Sequence, residues 1–328
     1  MSEPSVDILV IGDGISARAM LWKLQTSFKG SVLQVFDNTL YPPSSFNSTG
    51  VVAFNGQKKG VSPLGDVLRE GVEYFFKNIA TCGLMGMEKG QLVDTCIVGD
   101  DRLMRRYGKE ESIENCDFPF ALSSGFNYAR EEAVFINPKL FMSSLLEQYF
   151  YDFKLKSLVD IKDHSAIFSD GSSINFGKII LCCGTSLTEL NALGVNDERP
   201  IIEVAGSFYR WDKDLGPDSF ALGLGKSNLV YRASDNCLML GGTTQKDEIV
   251  AHDGEELNSF YLSAKKIASS FLPPTDEAEV FSGIRVKGPR RLPLFEELKK
   301  DVFVLGAAYK TGWSQAFYGS AKLIEKII

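Results

Sequence analysis

The stretch Val6-Asp7-Ile8-Leu9-Val10-Ile11-Gly12-Asp13-Gly14-Ile15-Ser16-Ala17 predicts a buried strand, a glycine turn and the start of a helix. Gly12 permits a tight turn, Gly14 lets the backbone approach a pyrophosphate, and the small Ala17 lets the helix pack closely on its strand. The N–H groups that open this helix face the same point, together with the positive end of the helix dipole. The segment therefore predicts a dinucleotide-binding turn.

A second strand after this helix strengthens the interpretation. Residues 31–36 are mostly apolar and are followed by Asp37. An acidic residue about 20 positions after the glycine turn can hold both hydroxyls of an adenosine ribose. Residues 17, 20, 21 and 24 place apolar side chains on one face of the helix between the two strands. The alternative is a glycine turn in some other strand–helix unit.

Composition excludes several classes of function. The chain has 328 residues, a formal net charge of −7 and a pI near 5.1. Nucleic acid or an anionic membrane surface would favour a basic face, so neither is expected as the main partner. We find no apolar run of membrane-spanning length, and the first strand begins too early to leave room for a signal peptide. A cytoplasmic location is the expectation.

Cysteine and histidine usage argues against metal and hydrolase chemistry. The six cysteines contain no C-x-x-C pair, so we expect buried free thiols in a reducing compartment. The only histidines are His164 and His252, so a zinc site, a Ser-His-Asp triad or a Cys-His pair would have to depend on one of these two residues. No metal is expected.

The pattern of strands and helices predicts an α/β fold, α+β overall, with two domains. Strand–helix patterns occur at the start of the chain, again around 178–184, and once more over 301–328, whereas 200–286 reads as long strands with one helix. This order favours a discontinuous Rossmann-like domain with an inserted, mainly antiparallel β-sheet domain. The predicted cofactor domain comprises 1–80, 137–199 and 283–328, and the predicted substrate domain comprises 81–136 and 200–282.

Further motifs follow the opening turn along nearly the whole chain. They are Ser44–Gly50, Phe135-Ile136-Asn137-Pro138, Ile180-Leu181-Cys182-Cys183-Gly184, Leu240-Gly241-Gly242-Thr243, Ser282-Gly283-Ile284-Arg285 with Leu292-Pro293, and Gly306 to Gly312-Trp313. Each is loose alone, but their order is specific. In that order they resemble the D-amino-acid oxidase, glycine oxidase and sarcosine oxidase superfamily of FAD-dependent oxidoreductases.

The resemblance implies FAD as cofactor. Superfamily members that tether flavin covalently use a cysteine near the segment matched by 283–285, and none is present here, so the resemblance implies non-covalent FAD. Val159 would hold adenine through its backbone, and the 44–49 loop would line the diphosphate and the ring. The residues expected at the cofactor are Gly12, Gly14, Ile15, Ser16, Ala17, Asp37, Ser44, Ser45, Ser48, Thr49, Val159, Cys183, Gly184, Gly283, Arg285, Tyr309, Lys310, Thr311, Gly312 and Trp313.

Arg285 stands where amino-acid oxidases of this superfamily bind the substrate carboxylate. A guanidinium fork matches a carboxylate bidentately and would orient the α-C–H bond towards flavin N5. The alternative is a surface arginine within the basic stretch 285–291. We treat Arg285 as one of two candidate catalytic residues.

The closing loop departs from the superfamily pattern. Many members have Gly-His-Gly-Gly-x-Gly there, whereas this chain has Ala307-Ala308-Tyr309-Lys310-Thr311-Gly312. Tyr309 and Lys310 replace glycines, so the local geometry or the substrate is expected to differ. The ammonium of Lys310, the second candidate catalytic residue, could stabilise negative charge on the reduced flavin. The alternative is an exposed loop lysine.

These observations favour an enzyme that takes a hydride from the carbon beside an amine of an amino acid or related compound. The imine would hydrolyse, and oxygen or another acceptor would reoxidise the flavin. Such chemistry needs orientation more than a protein base, which suits a chain poor in histidine. The alternatives are a flavin-binding partner or maturation protein without turnover and a nicotinamide-dependent dehydrogenase, which would not explain the strand–helix pattern over 301–328.

Overall fold

The computed structural model describes residues 5–37, 44–112, 122–195, 198–246 and 254–328. Its strands are β1 Ser5–Ile11, β2 Val32–Phe36, β3 Val51–Val52, β4 Met87–Ile97, β5 Glu111–Ser112, β6 Phe126–Ile136, β7 Asp152–Leu155, β8 Leu158–Lys162, β9 Ser165–Phe168, β10 Ser173–Leu181, β11 Ile202–Asp212, β12 Ser219–Leu224, β13 Ser227–Arg232, β14 Cys237–Gly241, β15 Gln245–Lys246, β16 Glu279–Lys287, β17 Leu294–Lys299 and β18 Val302–Gly306. Its α-helices are α1 Ile15–Ser27, α2 Pro63–Asn78, α3 Arg102–Tyr107, α4 Pro138–Leu146, α5 Gly254–Ala268 and α6 Gly312–Ile327.

The first sheet has the strand order β17-β18-β10-β1-β2-β7, with β8 and β9 attached beside β10. From β18 to β7 every neighbouring pair is parallel. Strands buried on both faces read as continuous apolar runs, and Leu9 and Val10 of β1 are fully buried. Three separate parts of the chain thus build one parallel sheet, which confirms the predicted Rossmann-like architecture.

Helix α1 packs on this sheet through the face predicted from its spacing. Ala17, Met20, Leu21 and Leu24 are all fully buried. They share a core cluster with residues of β1 and α6, including Leu323. The small Ala17 allows close packing, so the first residues of α1 lie directly above the carboxyl end of β1.

The second sheet has the order β15-β11-β14-β13-β12-β4-β6-β3, with β16 on β11 and β5 on β6. Its pairs are antiparallel except β12 with β4, which is parallel. Helix α5 covers one face, where Tyr261 and Ala264 pack with Trp211 and Leu240. The opposite face carries Phe208 and other apolar residues of a separate cluster.

Two strands of this sheet are longer than the sequence pattern predicted. The sequence alone shows short strand-like runs at 91–98 and 133–136, whereas β4 and β6 each have 11 residues and pair along their whole length. Polar residues hide the alternation in the sequence. Two of them have partners in the fold, because Glu88 accepts hydrogen bonds from Ser219 and Ser234, and Glu131 accepts one from Asn55.

The predicted domain boundaries stay a prediction. Strand β3 and residues 283–287 of β16 lie inside segments assigned from the sequence to the cofactor domain, yet both pair within the second sheet. Within the described ranges, no helix is long and apolar enough to cross a membrane, and no group of three or more His, Cys, Asp or Glu residues could hold a metal ion.

Five cysteines lie in the described ranges, and all five are free. Cys96, Cys182 and Cys237 are buried as expected, but Cys82 is exposed because it follows the end of α2 at the surface. Cys116 and His252 fall outside the described residues.

Candidate functional site

The glycine turn between β1 and α1 leaves backbone donors available for an anion. Gly12 has φ +123°, and a Cβ there would collide with the carbonyl of Cys182, so only glycine fits. Gly14 is the N-cap of α1 and caps it without a side chain, and the first turn has no acidic residue. The N–H of Ile15 donates to Ser45 Oγ at 3.0 Å. This helix end can therefore bind phosphate through its N–H groups and its dipole.

Asp37, at the carboxyl end of β2, lies beside the segment that leads into Val159. Asp37 directly follows β2 and is exposed, and the hydroxyl of Ser157 donates a hydrogen bond to its carboxylate. Val159 lies two residues after Ser157, in β8. Cys183 and Gly184 follow the neighbouring strand β10, next to the glycine turn. Asp37, Cys183 and Gly184 thus follow the carboxyl ends of β2 and β10, and the cofactor-binding role of these residues and of Val159 stays a prediction.

The 44–49 loop joins this edge to the second sheet. Besides the contact of Ser45 with α1, the Asn47 side chain donates to the carbonyl of Ser282 at 3.2 Å. Trp313 Nε1, in the first turn of α6, donates to Ser48 Oγ at 3.0 Å. Gly283 lies beside the same loop, because a Cβ built on it would be 4.0 Å from Ser44 Cβ. The predicted flavin-lining segments, distant in sequence, therefore lie together.

Arg232 holds this loop and was not found from the sequence. Its side chain is only 6% exposed and forms a two-point ion pair with Asp235, at 3.0 and 2.8 Å. The same guanidinium donates to the carbonyls of Thr49 at 3.4 Å and Ile136 at 3.2 Å. The spacing of three residues between arginine and aspartate was the available signal, but it is common on surfaces.

The closing loop turns through left-handed backbone at two residues other than glycine. Ala307 has φ +54° and Tyr309 has φ +53°, a region in which glycine is favoured. The loop is held against the end of β16, since Tyr309 N donates to Val286 O at 2.9 Å and Gly288 N donates to Ala307 O at 3.2 Å. The closing loop therefore has backbone angles that favour glycine, although Ala307 and Tyr309 carry side chains there.

Arg285 lies across Gly206 of the neighbouring strand. Its Nη2 donates to Thr243 O at 2.7 Å, and its Cζ lies 5.3 Å from the centroid of the Tyr309 ring. A Cβ on Gly206 would come within 2.9 Å of the Arg285 Cζ, so a glycine there makes room for the guanidinium. Burial lowers the pKa of Arg285.

Lys310 is a second cation at the same ring. Its Nζ lies 5.6 Å from the centroid of Tyr309. The residue is exposed, yet neighbouring atoms surround its amine closely enough that burial lowers the pKa of Lys310, and the charge of Arg285 lowers it further. In the part of the chain that the structure describes, neither cation has a carboxylate within ion-pair distance. The negative charge of Glu256 acts on both cations and opposes the lowering of each pKa. Two cations that face one carboxylate give this place an excess of positive charge, which favours an anion.

Comparison with known proteins gives matches in structure only. No protein family model matches the chain, and no curated protein matches its sequence. Among solved structures, glycine oxidase from Bacillus cereus matches with a TM-score of 0.78 at 17% identity, covering 98% of this chain and 94% of that one. The chain has the fold of this oxidase.

Two other solved structures have the same fold as this chain. L-α-glycerophosphate oxidase from Mycoplasma pneumoniae, solved with FAD bound, matches with a TM-score of 0.80 at 13% identity over 100% of this chain and 95% of that one. L-proline dehydrogenase from P. horikoshii matches with a TM-score of 0.79 at 13% identity over 100% and 94%. The resemblance expected from the sequence is confirmed for the fold.

Proposed function

We propose that this protein is an FAD-dependent oxidoreductase that oxidises the C–N bond of an amino acid or a related amine. The observation that carries the proposal is the pair of cations, Arg285 and Lys310, beside Tyr309 at the point where the 44–49 loop, β16 and α6 meet. Two neighbouring cations in a partly desolvated place repel each other, so a bound anion would stabilise both. A substrate carboxylate is such an anion.

The chain's residues fit FAD as the cofactor. The N-terminus of helix α1 has no side chain hydrogen-bonded to it as a cap and no acidic residue in its first turn. Asp37 directly follows β2, the second strand of the chain. Gly12 is in a conformation and a contact that exclude a side chain. Bound FAD supplies the hydride acceptor. Gly12, Gly14, Asp37 and the 44–49 loop would hold it, with the closing loop beside its ring.

Arg285 performs the positioning step. Its guanidinium is fixed by the carbonyl of Thr243 and packs on Tyr309, which leaves other N–H groups to hold a carboxylate as a fork. Holding the carboxylate at a fixed place orients the α-carbon and converts the reaction into an effectively unimolecular one. Phe208 and Phe281, whose ring centroids are 5.8 Å apart, give this face of the sheet an apolar surface that excludes water.

The structural neighbours leave the substrate class open, because one oxidises glycerophosphate and another is a proline dehydrogenase. Arg285 favours a carboxylate-bearing amine among these. Oxygen or another acceptor would complete the cycle.

The test is anaerobic reduction of the purified, flavin-loaded protein. A panel pairs each amino acid with its decarboxylated amine and includes L-α-glycerophosphate. We expect bleaching of the visible band by at least one amino acid and a much weaker response to the matching amine. The variant Arg285→Leu should retain flavin yet raise KM strongly, and Arg285→Lys should recover only part of the loss, since a point charge lacks the fork.

Arg199, an exposed arginine paired with Glu296 at 2.7 Å, is the control, and Arg199→Leu should behave like the native protein. A protein without flavin would refute the cofactor. Flavin that no amine or amino acid reduces would favour a flavin-binding protein without turnover. Turnover of amines lacking a carboxylate, unaffected by Arg285→Leu, would refute the amino-acid substrate.

A further inference from the structure

The glycine turn carries an acidic residue between its two glycines. Asp13 separates Gly12 from Gly14, at the loop whose N–H groups are expected to meet a diphosphate. Two like charges close together in a site of reduced dielectric repel strongly. An anion-binding turn with an aspartate at its centre therefore needs something that removes the effect of this charge.

Arg18 meets this need from the second turn of α1. Its Nε donates to Asp13 Oδ1 at 3.0 Å and its Nη2 donates to Asp13 Oδ2 at 2.8 Å, so both carboxylate oxygens are held by one guanidinium. Gln34 of β2 adds a third donor, with its Nε2 at 3.3 Å from Oδ1. The side chains are only 9% exposed for Arg18 and 17% for Asp13. The carboxylate is thereby turned inward, away from the open end of α1.

The place of Arg18 is otherwise one for an apolar residue. It lies on the buried face of α1 between Ala17 and Ala19, which are both fully buried. Its remaining donor group, Nη1, bonds to Met142 O at 2.8 Å, and its Cζ lies 5.6 Å from the ring centroid of Phe46 in the 44–49 loop. A buried guanidinium is costly unless paired, so Asp13 and Arg18 depend on each other.

We propose that Arg18 is a positioning residue for the dinucleotide. It neutralises Asp13 and holds its carboxylate inward, so that the N–H groups at the start of α1 can donate hydrogen bonds to a diphosphate. The inference rests on the proposed function in naming FAD as the ligand. It deepens that function by assigning the affinity for the diphosphate to a pair inside the turn, in addition to the backbone.

The charges make the two single variants behave in opposite ways. Arg18→Met leaves an uncompensated carboxylate beside the diphosphate and should weaken FAD by at least about 10-fold. Asp13→Asn leaves a cation at the same place and should bind FAD at least as tightly as the native protein. The double variant, with both charges removed, should recover most of the affinity lost in Arg18→Met.

The experiment is titration of the apoprotein with FAD, followed by quenching of flavin fluorescence. Native protein, both single variants, the double variant and the control Arg199→Met are compared, and thermal melts of each apoprotein report folding. A purely structural role predicts a different pattern, because breaking the pair from either side would then weaken FAD equally and the double variant would stay weak.

Equal weakening of FAD binding in the two single variants, or a double variant that still binds FAD weakly, overturns the inference. Should Arg18→Met fail to fold, the sign of the change in Asp13→Asn still decides, since weaker FAD binding in that variant contradicts the proposal. Native apoprotein that does not bind FAD at all refutes the proposed function instead, so the two failures are distinguishable.

Discussion

Replacing Gly206 by alanine should displace the Arg285 side chain without removing any charged group. Gly206 pairs with Gly283 across β11 and β16, and a Cβ built on it would lie 2.6 Å from Thr243 O and 2.9 Å from Arg285 Cζ. Carbon atoms pack at about 3.5–4.0 Å. Since Arg285 Nη2 would lie only 2.1 Å from the new Cβ, the guanidinium must move by about 1 Å or more, and the carbonyl that anchors it must move as well.

The expected loss can be bounded from the bonds at stake. A hydrogen bond to a charged group contributes about 1.5–3 kcal/mol, and a misplacement of about 1 Å can cost 100-fold in rate. We expect kcat/KM for a carboxylate substrate to fall by about 10- to 100-fold. The FAD content should not change, because the expected anchors of FAD, Gly12, Gly14 and Asp37, lie beside the first sheet, whereas Gly206 belongs to the second.

Two assays measure this change. Steady-state kinetics gives kcat/KM, and titration with an analogue of the substrate that lacks the amino group, followed through the flavin absorbance, gives the affinity for a carboxylate directly. Gly65→Ala, in the first turn of α2, is the matched control and should behave as the native protein, since a Cβ there would lie 3.1 Å from the Ser62 hydroxyl and 3.9 Å from the Lys58 carbonyl oxygen. Native affinity for this analogue in Gly206→Ala would refute the placement of Arg285 as the carboxylate-binding group.

Three further outcomes are expected. Lys310→Met should lower the flavin reduction potential. Because the pKa of Lys310 is lowered from 10.5, native kcat/KM should fall as the pH rises through that lowered pKa. The pH profile of the variant should lack this fall at alkaline pH. Asp37→Ala should weaken FAD by about 1–3 kcal/mol in a fluorescence titration, and unchanged affinity would show that another residue holds the ribose. Arg232→Met should lower the free energy of unfolding in urea by about 3–5 kcal/mol, with part recovered by adding Asp235→Asn; equal stability of the single and double variants would contradict the buried-pair argument.

The parallel sheet could be predicted because its sequence signal is local. Strands buried on both faces must be apolar throughout, and a helix that packs on them must show apolar residues at helical spacing. Both signals are strong over 6–24, where β1 and α1 lie. The long strands β4 and β6 were shortened in the prediction because Glu88 and Glu131 interrupt the alternation and are satisfied only by distant partners.

The pieces of the candidate site could be predicted, but the contacts that join them could not. Arg285 was found by resemblance, whereas the role of Gly206 depends on the pairing register of β11 with β16. Asp13 and Arg18 are five residues apart, and nothing local says that they bond rather than face solvent. Arg232 contacts the carbonyl of Thr49 from 183 residues away. Such contacts follow from tertiary packing, which a single sequence does not display.

The parallel sheet has a consequence for how the chain is made. Its central strand β10 pairs with β1 on one side and with β18 on the other, and β18 leaves the ribosome after almost all other elements. At about 5–20 residues per second, β10 precedes β18 by roughly 6 to 25 s. During that interval β10 presents an unpaired edge, which is a template for aggregation. We therefore expect that slower synthesis raises the need for chaperones, and that nascent chains ending before residue 302 do not retain FAD.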